Sequence, residues 1–529
     1  MSSGARVIAH GPIFDRVIDT SGMRAMEMKA PPELDLMKNA GLAVAQEILR
    51  QHKSLTPCLT VFLVGPGDNG GDALIAASRL AASGASTVAW ASRERPGDHL
   101  LANAIKNGVR WKIWAGDTHE FVQDVQSSDC LVDGLLGIGS APPLRGPVSE
   151  MLSALPDIDR QLRIAIDVPS GTDAESGNAD PAAFRAQITL TTGPMKLGSL
   201  FHPAIEFAGE LQTLDIGMDV ASYADIRRSL IDAINIRDLL PDRPLDGHKG
   251  TFGKLLIIGG STGYRGAPTL ATLAALHGGT GQVTLASVEA VIATTASHAP
   301  AATFIRLNET PEGQIDAETS TLVNSNAEPS ALLIGPGMGR SVSSDALIYD
   351  LLLTYPDTPT VIDADGLNAL AKQPDMIRRL GPTHVLTPHP GELQRILNLP
   401  SPPNGRARLH AAEDLSSQTQ AIVVAKGSPT LICTQDQTWV LAKPNPVLAA
   451  AGAGDVLAGA IASFLAQGSS ATKAARLGVW LHNHAAIIAA KGTDRGVPMD
   501  QVANEISTAI HHLKTGSQPG VTGISERST

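Results

Sequence analysis

The sequence has few aromatic residues, few charged residues and almost no cysteine, and each shortage excludes a class of protein. Aromatic residues make up only 3 % of the 529 residues, which argues against a stacking platform for single-stranded nucleic acid. Charged residues make up 18 %, and the formal net charge is −11. These values fit neither a basic nucleic-acid-binding protein nor a disordered acidic chain, so we expect no nucleic-acid partner.

Long apolar runs are also missing, and the cysteines are too few for a disulfide framework. No run of 18 or more apolar residues occurs, so we expect neither a membrane-spanning helix nor a membrane partner. Cys58, Cys130 and Cys433 are odd in number and far apart, which predicts buried thiols in a reducing compartment. The first residues lack the apolar core of a signal peptide. We therefore expect a cytoplasmic protein, and we also expect a homo-oligomer.

What the sequence does contain is a regular alternation of short apolar runs and helical segments. In the first half, buried strands are predicted at 59–64, 86–91, 129–134, 163–168 and 187–192, with helices at 72–83 and 98–107 and an amphipathic stretch at 33–51. This alternation predicts an α/β fold with a doubly wound, parallel sheet.

A second alternation fills the other half of the chain. Strands are predicted at 254–260, 282–287, 331–337, 360–366, 384–390, 421–427 and 430–434, and helices at 455–467, 472–491 and 499–514. Between the halves, 221–240 predicts a helical connector, and the turn-rich stretch that follows places the boundary between 225 and 248. We expect domains at 1–235 and 240–514 and a frayed tail at 515–529.

The most informative stretch of the first half is VGPGDNGGDALIAA at 64–77, where a strand leads through glycines into a helix. Glycine permits positive φ and close backbone approach, and the amides at a helix start suit a phosphate, although a ligand-free turn is the alternative. Asp133 and Asp167 follow two further strands, at the sheet edge where such folds bind ligands. Asn69, Asp133 and Ser170 offer hard oxygen ligands for an alkali or alkaline-earth cation, but by itself each Asp more often caps a turn.

The motifs GPGDNGGD, VDGLLGIG, IDVPSG and TTGPMKLG, in that order, resemble the NAD(P)H-hydrate epimerase domain over residues 10–220. We accordingly expect a Rossmann-like sheet and a K⁺ ion held by Asn69, Asp133 and Ser170. The chain departs from the family's usual NNGGDG at Asp68 and Ala73. The resemblance implies substrate contacts from Asp68, Asn69, Gly70, Gly71, Asp72, Gly137, Ile138, Gly139, Ser140, Ala141, Pro142, Pro143 and Asp167, and we take Asp167 as catalytic.

In the second half, polar groups follow one strand after another, at 249–276, 334–339, 361–370, 386–392, 423–430 and 445–459. The last segment contains GAGD at 452–455, whose amides can bind phosphate and whose Asp can accept a hydroxyl proton as phosphoryl transfer begins. Taken alone, GAGD is also the pattern of a capped helix, and a single histidine such as His389 is more often buried against a carbonyl. No role is assigned to His482, His484 or His511.

These segments together resemble the ADP/ATP-dependent NAD(P)H-hydrate dehydratase domain, which is ribokinase-like, over residues 240–514. Gln282, in GTGQV, departs from the family's usual GAGLV. The resemblance implies that the hydrated dinucleotide contacts Ala267, Gly337 or Gly339, His389 and Asp455. It implies that the adenine nucleotide contacts Lys426, Gly427, Ser428, Pro429, Thr430 and Gly454.

Combined, the two resemblances imply a bifunctional enzyme that repairs hydrated NADH and NADPH. The first domain would act as an isomerase on the R and S epimers. The second would act as a lyase that dehydrates the S epimer with ADP or ATP and Mg²⁺, releases phosphate and uses Asp455 as its base. Two alternatives stay open: a vitamin-type hydroxymethyl or thiazole kinase for the second domain, and a non-catalytic binding module for the first.

Overall fold

The computed structural model of the protein describes residues 7–8, 14–51, 58–116, 118–158, 161–319, 323, 328–442 and 445–516. The chain divides into two compact units, Met1–Leu230 and Ile231–Thr529. Each unit is built around a largely parallel sheet with helices, so the α/β class predicted for both halves is confirmed. No helix within the described ranges has the length and apolarity that crossing a bilayer requires.

The first unit is built around one parallel sheet. The strands of the first unit, not all of which join this sheet, are β1 (Val7–Ile8), β2 (Val17–Ile18), β3 (Leu59–Val64), β4 (Ser86–Ala91), β5 (Arg110–Ile113), β6 (Cys130–Gly134), β7 (Leu162–Ile166), β8 (Ile188–Thr192), β9 (Met195–Lys196), β10 (Glu210–Leu214) and β11 (Arg228–Leu230). The sheet has the order β1-β10-β8-β7-β6-β3-β4-β5, while β2 pairs with β9. Strand order reverses between β3 and β6, and their carboxyl ends flank the crevice where ligands bind in such folds.

Apolar side chains on both faces of β3 hold this sheet between two helical layers. The helices of the first unit are α1 (Thr20–Lys29), α2 (Leu36–Gln51), α3 (Asp68–Ala82), α4 (His99–Lys106), α5 (Thr118–Ser127), α6 (Gly146–Ser153) and α7 (Ile205–Ala208). Phe62 and Val64 pack in one core cluster with residues of α2 and α3. Val61 and Leu63 pack in the other, with residues of α5 and α6. An unbroken apolar run at 59–64 is therefore what a strand covered on both faces requires.

The second unit contains nine strands of a second sheet, and those toward one end pair in antiparallel fashion. Its strands are β12 (Lys254–Ile258), β13 (Gln282–Ser287), β14 (Thr303–Arg306), β15 (Ala331–Ile334), β16 (Thr360–Ile362), β17 (His384–Leu386), β18 (Ile422–Ala425), β19 (Thr430–Cys433) and β20 (Thr438–Leu441). They run in the order β20-β19-β18-β17-β16-β15-β12-β13-β14. β18, β19 and β20 pair in antiparallel fashion, and the other pairs are parallel.

Helices of the second unit lie before, between and after its strands. They are α8 (Ala233–Ile236), α9 (Gly266–His277), α10 (Glu289–His298), α11 (Val342–Thr354), α12 (Asp365–Leu370), α13 (Pro374–Ile377), α14 (Pro390–Leu397), α15 (Gly405–Thr419), α16 (Ala453–Ala466), α17 (Ala471–Ala490), α18 (Met499–Asn504) and α19 (Ile506–Thr515). The single helix predicted at 499–514 is wrong in detail, because Glu505 separates two helices. The predicted tail lies outside the described residues beyond Gly516.

The helical connector predicted at 221–240 is wrong. This stretch contains 3-10 turns at Val220–Tyr223 and Arg237–Leu239, the strand β11 and the four-residue helix α8. Side chains near the turns compete for the backbone: Asp219 caps the first turn, and Asp232 and Asn235 form a reciprocal capping box at α8. Composition alone suggested a helix, but these caps start and stop short segments instead.

Candidate active sites

The glycine-rich loop after β3 brings three backbone segments close together. Helix α3 begins at Asp68, four residues before its predicted start at Asp72. A Cβ built on Gly65 would lie 1.7 Å from the carbonyl oxygen of Leu135, and one on Gly70 would lie 2.1 Å from the carbonyl oxygen of Gly65. Neither glycine has a positive φ. Close approach, and not a left-handed conformation, therefore explains these two glycines.

Asp167 and Lys196 form a buried ion pair at the carboxyl end of β7. Asp167 directly follows the strand and has a φ of 65°, which is uncommon for a residue other than glycine. Its Oδ1 accepts a hydrogen bond from the hydroxyl of Thr192 (3.0 Å) and lies 2.5 Å from Nζ of Lys196. Lys196 is only 1 % exposed. A lysine buried so completely needs a partner, so the pair holds a carboxylate in a fixed position.

Asp72 lies near enough to this pair for their charges to act on it, and its surroundings favour its protonated form. Its side chain is buried, and Oδ1 has no hydrogen-bond partner in the described part of the chain. Burial, followed by the charges of Asp167 and Asp68, raises the pKa of Asp72 to about 8. At neutral pH, the first unit thus holds a carboxylic acid close to the paired carboxylate of Asp167, an arrangement suited to proton transfer.

The three residues predicted to bind a cation meet around the loop that follows β6. Ser170 donates hydrogen bonds from its amide and its hydroxyl to the two oxygens of Asp133, each at 2.7 Å. Asn69 Nδ2 donates to the carbonyl oxygen of Leu136 (2.8 Å), and the Leu136 amide donates to Ser170 Oγ (2.9 Å). Burial raises the pKa of Asp133 to about 6. Oδ1 of Asn69 is buried without a partner among the described residues, so one acceptor remains that a cation could use.

The predicted substrate loop at 137–143 lies beside these side chains. A Cβ built on Gly137 would lie 3.4 Å from Cβ of Asn69 and 3.9 Å from Oδ2 of Asp167. The hydroxyl of Ser140 donates to the carbonyl oxygen of Gly137 (2.9 Å), which turns the loop back on itself. The rest of the loop, Ile138, Gly139, Ala141, Pro142 and Pro143, is half-buried or exposed. A ligand could therefore reach Asp167 from the side of this loop.

In the second unit, GAGD opens helix α16. Gly452 caps the helix with a φ of 92°, a conformation that favours glycine, and Asp455 lies in the first turn. Burial, followed by the charge of Asp363, raises the pKa of Asp455 to about 7. An acid that changes its protonation state near neutral pH is suited to accept a proton during catalysis.

Three ionisable side chains from three loops meet near Asp455. Nζ of Lys426, after β18, donates to Oδ1 of Asp363 at 2.8 Å and lies 3.7 Å from Oε2 of Glu392. Asp363, after β16, is 1 % exposed and also accepts from the hydroxyl of Thr387 (2.7 Å). Although burial opposes it, the charges of Asp363 and Glu392 raise the pKa of Lys426. The ammonium group is thus held charged at the sheet edge.

Lys426 also lines a cavity of about 430 Å³, here called the Lys426 cavity. The predicted nucleotide contacts all line it: Lys426, Gly427, Ser428, Pro429, Thr430 and Gly454. The rest of its wall consists of His389, Leu441, Asn445, Leu448, Ala449, Ala450, Ala453, Leu457, Val479, His482 and Asn483. A concave, mostly apolar space with a few polar groups is typical of a site for a small ligand.

His389 caps helix α14 and is not buried against a carbonyl oxygen, so that alternative is wrong. Its Nδ1 accepts from the amides of Gly391 (3.0 Å) and Glu392 (3.3 Å), and Oε2 of Glu392 accepts from the amide of His389 (2.8 Å). About half of the His389 side chain is exposed. Burial and the charge of Lys426 lower the pKa of His389, so the imidazole facing the cavity is neutral at neutral pH.

The other residues predicted to contact the hydrated dinucleotide lie on neighbouring loops. A Cβ built on Gly337 would lie 3.3 Å from Cβ of Ala267. The amide of Gly339 donates to Oδ2 of Asp365 (2.9 Å). The charge of Asp365 contributes to the raised pKa of Asp455, so these loops lie close to the GAGD helix.

Sequence patterns alone do not select Lys196, Asp363 or Glu392, although each lies in a motif that the sequence displays. Asp363 directly follows a buried strand, and Glu392 has the spacing of a capping box after His389. Lys196 lies within the segment from Met195 to Leu200, whose other residues are uncharged and buried. A lysine in such a segment is unusual, because lysine is rarely buried. These signals become meaningful only once the partner of each charge is known.

Both units place buried ionisable groups at the carboxyl ends of parallel strands, which is the arrangement of an α/β enzyme with two separate sites. Family comparison gives a matching division. Residues 255–508 match the family described as NAD(P)H-hydrate dehydratase. Residues 33–198 match the family described as YjeF-related protein N-terminus.

Relatives of this chain match it over nearly its whole length. The bifunctional NAD(P)H-hydrate repair enzyme Nnr of Thermofilum pendens is 33 % identical over 506 residues, which cover 93 % of this chain and 94 % of that protein. The protein of the same name from Moorella thermoacetica is 34 % identical over 474 residues, which cover 87 % of this chain and 89 % of that protein. The chain therefore belongs to the family of bifunctional NAD(P)H-hydrate repair enzymes.

This membership confirms that the chain is an enzyme and favours neither a vitamin kinase nor a non-catalytic binding module. Among solved structures, the chain is similar to the ADP/ATP-dependent NAD(P)H-hydrate dehydratase of Bacillus subtilis, co-crystallised with ATP and Mg²⁺. The two chains are 28 % identical with a TM-score of 0.47, and the aligned part covers 54 % of this chain and 98 % of the Bacillus subtilis chain.

Proposed function

We propose that the first unit interconverts the R and S epimers of hydrated NADH and NADPH, and that the second dehydrates the S epimer with ADP or ATP. The acid–base pair of Asp72 and Asp167 supports the first activity. The GAGD helix, with Asp455 and the Lys426 cavity beside it, supports the second. That second arrangement carries the proposal, because a phosphate-binding helix end, a base and a nucleotide-sized cavity lie within one group of loops.

In the dehydratase reaction, phosphorylation makes a good leaving group. Asp455 accepts the proton of the ring hydroxyl as the oxygen of that hydroxyl attacks the terminal phosphorus of the nucleotide. The bridging P–O bond breaks with its electron pair on the departing nucleotide, which is ADP when ATP is the donor and AMP when ADP is the donor. The amides at the start of α16 and the ammonium of Lys426 stabilise the transferred phosphoryl group. The C–O bond then breaks with its electron pair on phosphate, and loss of a proton from the neighbouring carbon restores the conjugated ring.

The carboxylates beside Lys426 fit a magnesium ion that is shared with the nucleotide. Among the described residues, no group of three or more His, Cys, Asp or Glu side chains could hold a metal ion by itself. Mg²⁺ is commonly held by one or two carboxylates and by substrate phosphates, so Asp363 and Glu392 are the residues that would complete its coordination. When bound, the ion would neutralise charge on the transferring phosphoryl group.

In the epimerase reaction, an acid and a base act on the hydroxyl of the hydrated ring. Asp72 donates its proton to the departing hydroxyl, which leaves as water, while the ring nitrogen stabilises the cationic ring that remains. Water returns to the other face of the ring, and Asp167 takes up its proton. The ion pair with Lys196 keeps the carboxylate of Asp167 in place for this step.

We further propose that Asn69, Asp133 and Ser170 hold K⁺ beside this site. The unpartnered Oδ1 of Asn69 and the carboxylate of Asp133 are oxygen donors of the kind that hard cations prefer. We also propose a cytoplasmic location, since Cys58, Cys130 and Cys433 are buried and form no disulfide within the described ranges, which fits a reducing compartment.

A product assay tests the function directly. Each purified epimer of hydrated NADH or NADPH is incubated with ADP or with ATP, and released phosphate and recovered reduced nicotinamide absorbance are both followed. We expect phosphate and reduced cofactor in equal amounts from the S epimer, and from the R epimer only after epimerisation. Accumulation of a stable phosphorylated product would instead indicate a kinase.

A further inference from the structure

His482 has a buried ring nitrogen that the fold leaves without a partner. The residue lies on α17 and is 5 % exposed, and its Nε2 has no hydrogen-bond partner within the described ranges. Burying a polar atom in this way is unfavourable, so such an atom marks a place where a ligand or an ordered water binds. Because His482 also lines the Lys426 cavity, the ligand of that cavity is the candidate partner.

The wall of the Lys426 cavity, to which His482 belongs, is mostly apolar. Val479 precedes His482 by three positions, so the two side chains share one face of α17. Proteins bind aromatic ligands in such apolar spaces and fix their orientation with a few polar groups. The large apolar side chains that line the cavity are Leu441, Leu448, Leu457 and Val479.

The neutral and the charged side chains of the cavity suit different parts of the nucleotide. Burial and the charge of Lys426 lower the pKa of His482 to about 4, so its ring is neutral at pH 7. A neutral imidazole offers one donor or one acceptor at Nε2 but no charge for a phosphate. Lys426 and the amides near Gly454 are suited to the phosphates. Nε2 of His482 is suited to a hydrogen bond with the polar edge of a heteroaromatic base, which carries ring nitrogens and an amino group.

We propose that His482 hydrogen-bonds to the base of the nucleotide in the Lys426 cavity and thereby determines which base the site accepts. This inference rests on the proposed function, in which ADP or ATP occupies that cavity. His482 takes no part in the transfer of the phosphoryl group. Its loss therefore affects nucleotide binding and base discrimination more than the chemical step.

Three variants of the full-length chain test this role. His482→Leu removes both ring nitrogens, His482→Gln keeps a donor and an acceptor, and His384→Leu removes a buried histidine that does not line the cavity. The KM and kcat of dehydration are measured with ADP, ATP and GDP, together with inhibition by inorganic tripolyphosphate, which has no base. We expect His482→Leu to raise the KM for ADP about tenfold or more, to change kcat less than about twofold and to reduce the preference for ADP over GDP.

Tripolyphosphate inhibition should be unchanged in His482→Leu, His482→Gln should recover most of the ADP affinity, and His384→Leu should behave as wild type. An unchanged KM for ADP in His482→Leu would overturn the assignment, as would an equal loss of tripolyphosphate binding. If His482→Leu does not fold, His482→Met fills a comparable volume and is judged by the same criteria. A wild-type chain that binds neither ADP nor ATP would overturn the proposed function as well, so the two failures are distinguishable.

Discussion

At the scale of single residues, this protein buries several carboxyl groups and raises the pKa of each. Asp72 and Asp133 lie in the first unit, and Glu392 and Asp455 lie in the second. Burial is the largest cause in every case, and neighbouring carboxylates add to it at Asp72, Glu392 and Asp455. Buried acids weaken a fold, so their occurrence at sheet edges supports a functional role.

Replacing Asp455 tests the proposed base. Asp455→Asn keeps the size of the side chain but cannot accept the hydroxyl proton, so we expect dehydration to fall about 10²–10⁴-fold. Nucleotide affinity, measured by calorimetry with ADP, should stay within about threefold of wild type because the Lys426 cavity remains. Turnover near the wild-type rate would show that Asp455 is not the base.

The same residue predicts a pH profile for dehydration. With a pKa raised to about 7, Asp455 is the active carboxylate only above that pH. We expect kcat to rise about tenfold per pH unit below pH 7 and to level off above it. The measurement is kcat between pH 5 and 9 at saturating nucleotide. A flat profile over this range would contradict the assignment.

Asp72 predicts an effect on stability. The pKa of Asp72 rises from 3.8 to about 8 on folding, so between these values the folded state binds more protons than the unfolded state. The wild-type free energy of unfolding therefore decreases as the pH rises through this range. Asp72→Asn stays neutral and should be more stable than wild type at pH 8.5, by on the order of a few kcal/mol, while losing epimerase activity.

Thermal unfolding at pH 5 and pH 8.5 checks this, with Asp225→Asn, at an exposed position of the same unit, as the control. The gain in Tm should shrink at pH 5, where folded wild-type Asp72 is already protonated, and should be smaller in the control at both values. A gain that is equal at the two pH values would mean that Asp72 is not a buried acid.

The proposed potassium site predicts a dependence on the cation. Epimerisation should slow when K⁺ is replaced by Li⁺, because the smaller ion does not match a site built for a larger one. Asp133→Asn should remove most of this response. If Asp133 serves only to accept the hydrogen bonds that Ser170 donates, the variant loses stability but keeps the cation response of wild type. Epimerase rates against K⁺ concentration in both proteins separate the two outcomes.

At the scale of elements, glycine lets the GAGD helix pack closely against α9. A Cβ built on Gly459 of α16 would lie 2.2 Å from the backbone carbonyl oxygen of Ala271. Backbone cannot move aside as the end of a flexible side chain can, so a methyl group there must push the two helices apart. Because α16 also carries Asp455, its packing positions the proposed base.

We therefore expect Gly459→Ala to lower the free energy of unfolding of the second unit by about 1–3 kcal/mol and to reduce dehydration. Gly266→Ala, at the start of α9, is the matched control, since a Cβ there meets nothing within 4 Å and Gly266 has no positive φ. Its stability should equal or exceed that of wild type. Chemical denaturation and dehydratase assays of both variants are the measurements. Equal stabilities would show that the helices can separate without cost.

At the scale of the whole molecule, the two compact units predict two independent activities. Each is a compact unit that contains a largely parallel sheet, so fragments 1–230 and 231–529 should each be soluble when expressed alone. We expect fragment 231–529 to dehydrate the S epimer at a rate within about threefold of the full chain. Circular dichroism and the product assay check this. A folded but inactive second fragment would mean that the dehydratase site needs residues of the first unit.

Much of each fold follows from local sequence. The apolar runs at 59–64, 86–91 and 282–287 form strands with the predicted bounds, and the glycine-rich turns lie at the carboxyl ends of strands as expected. These features depend on side-chain periodicity and on the backbone needs of glycine, which act within a few residues. The stretch at 221–240 shows the limit of this reasoning, because caps and strand pairing overrode its helical composition.

Sequence by itself thus determined the α/β class, most strands and the motifs that resemble the two enzyme domains. Only the tertiary structure decided which charges meet: Lys196 with Asp167, and Lys426 with Asp363 and Glu392. It also decided that Asp72 lies buried next to Asp167 and that His482 faces the Lys426 cavity. The physical reason is that pKa values and ion pairs depend on burial and on neighbours that are distant in the chain, and no local pattern encodes either.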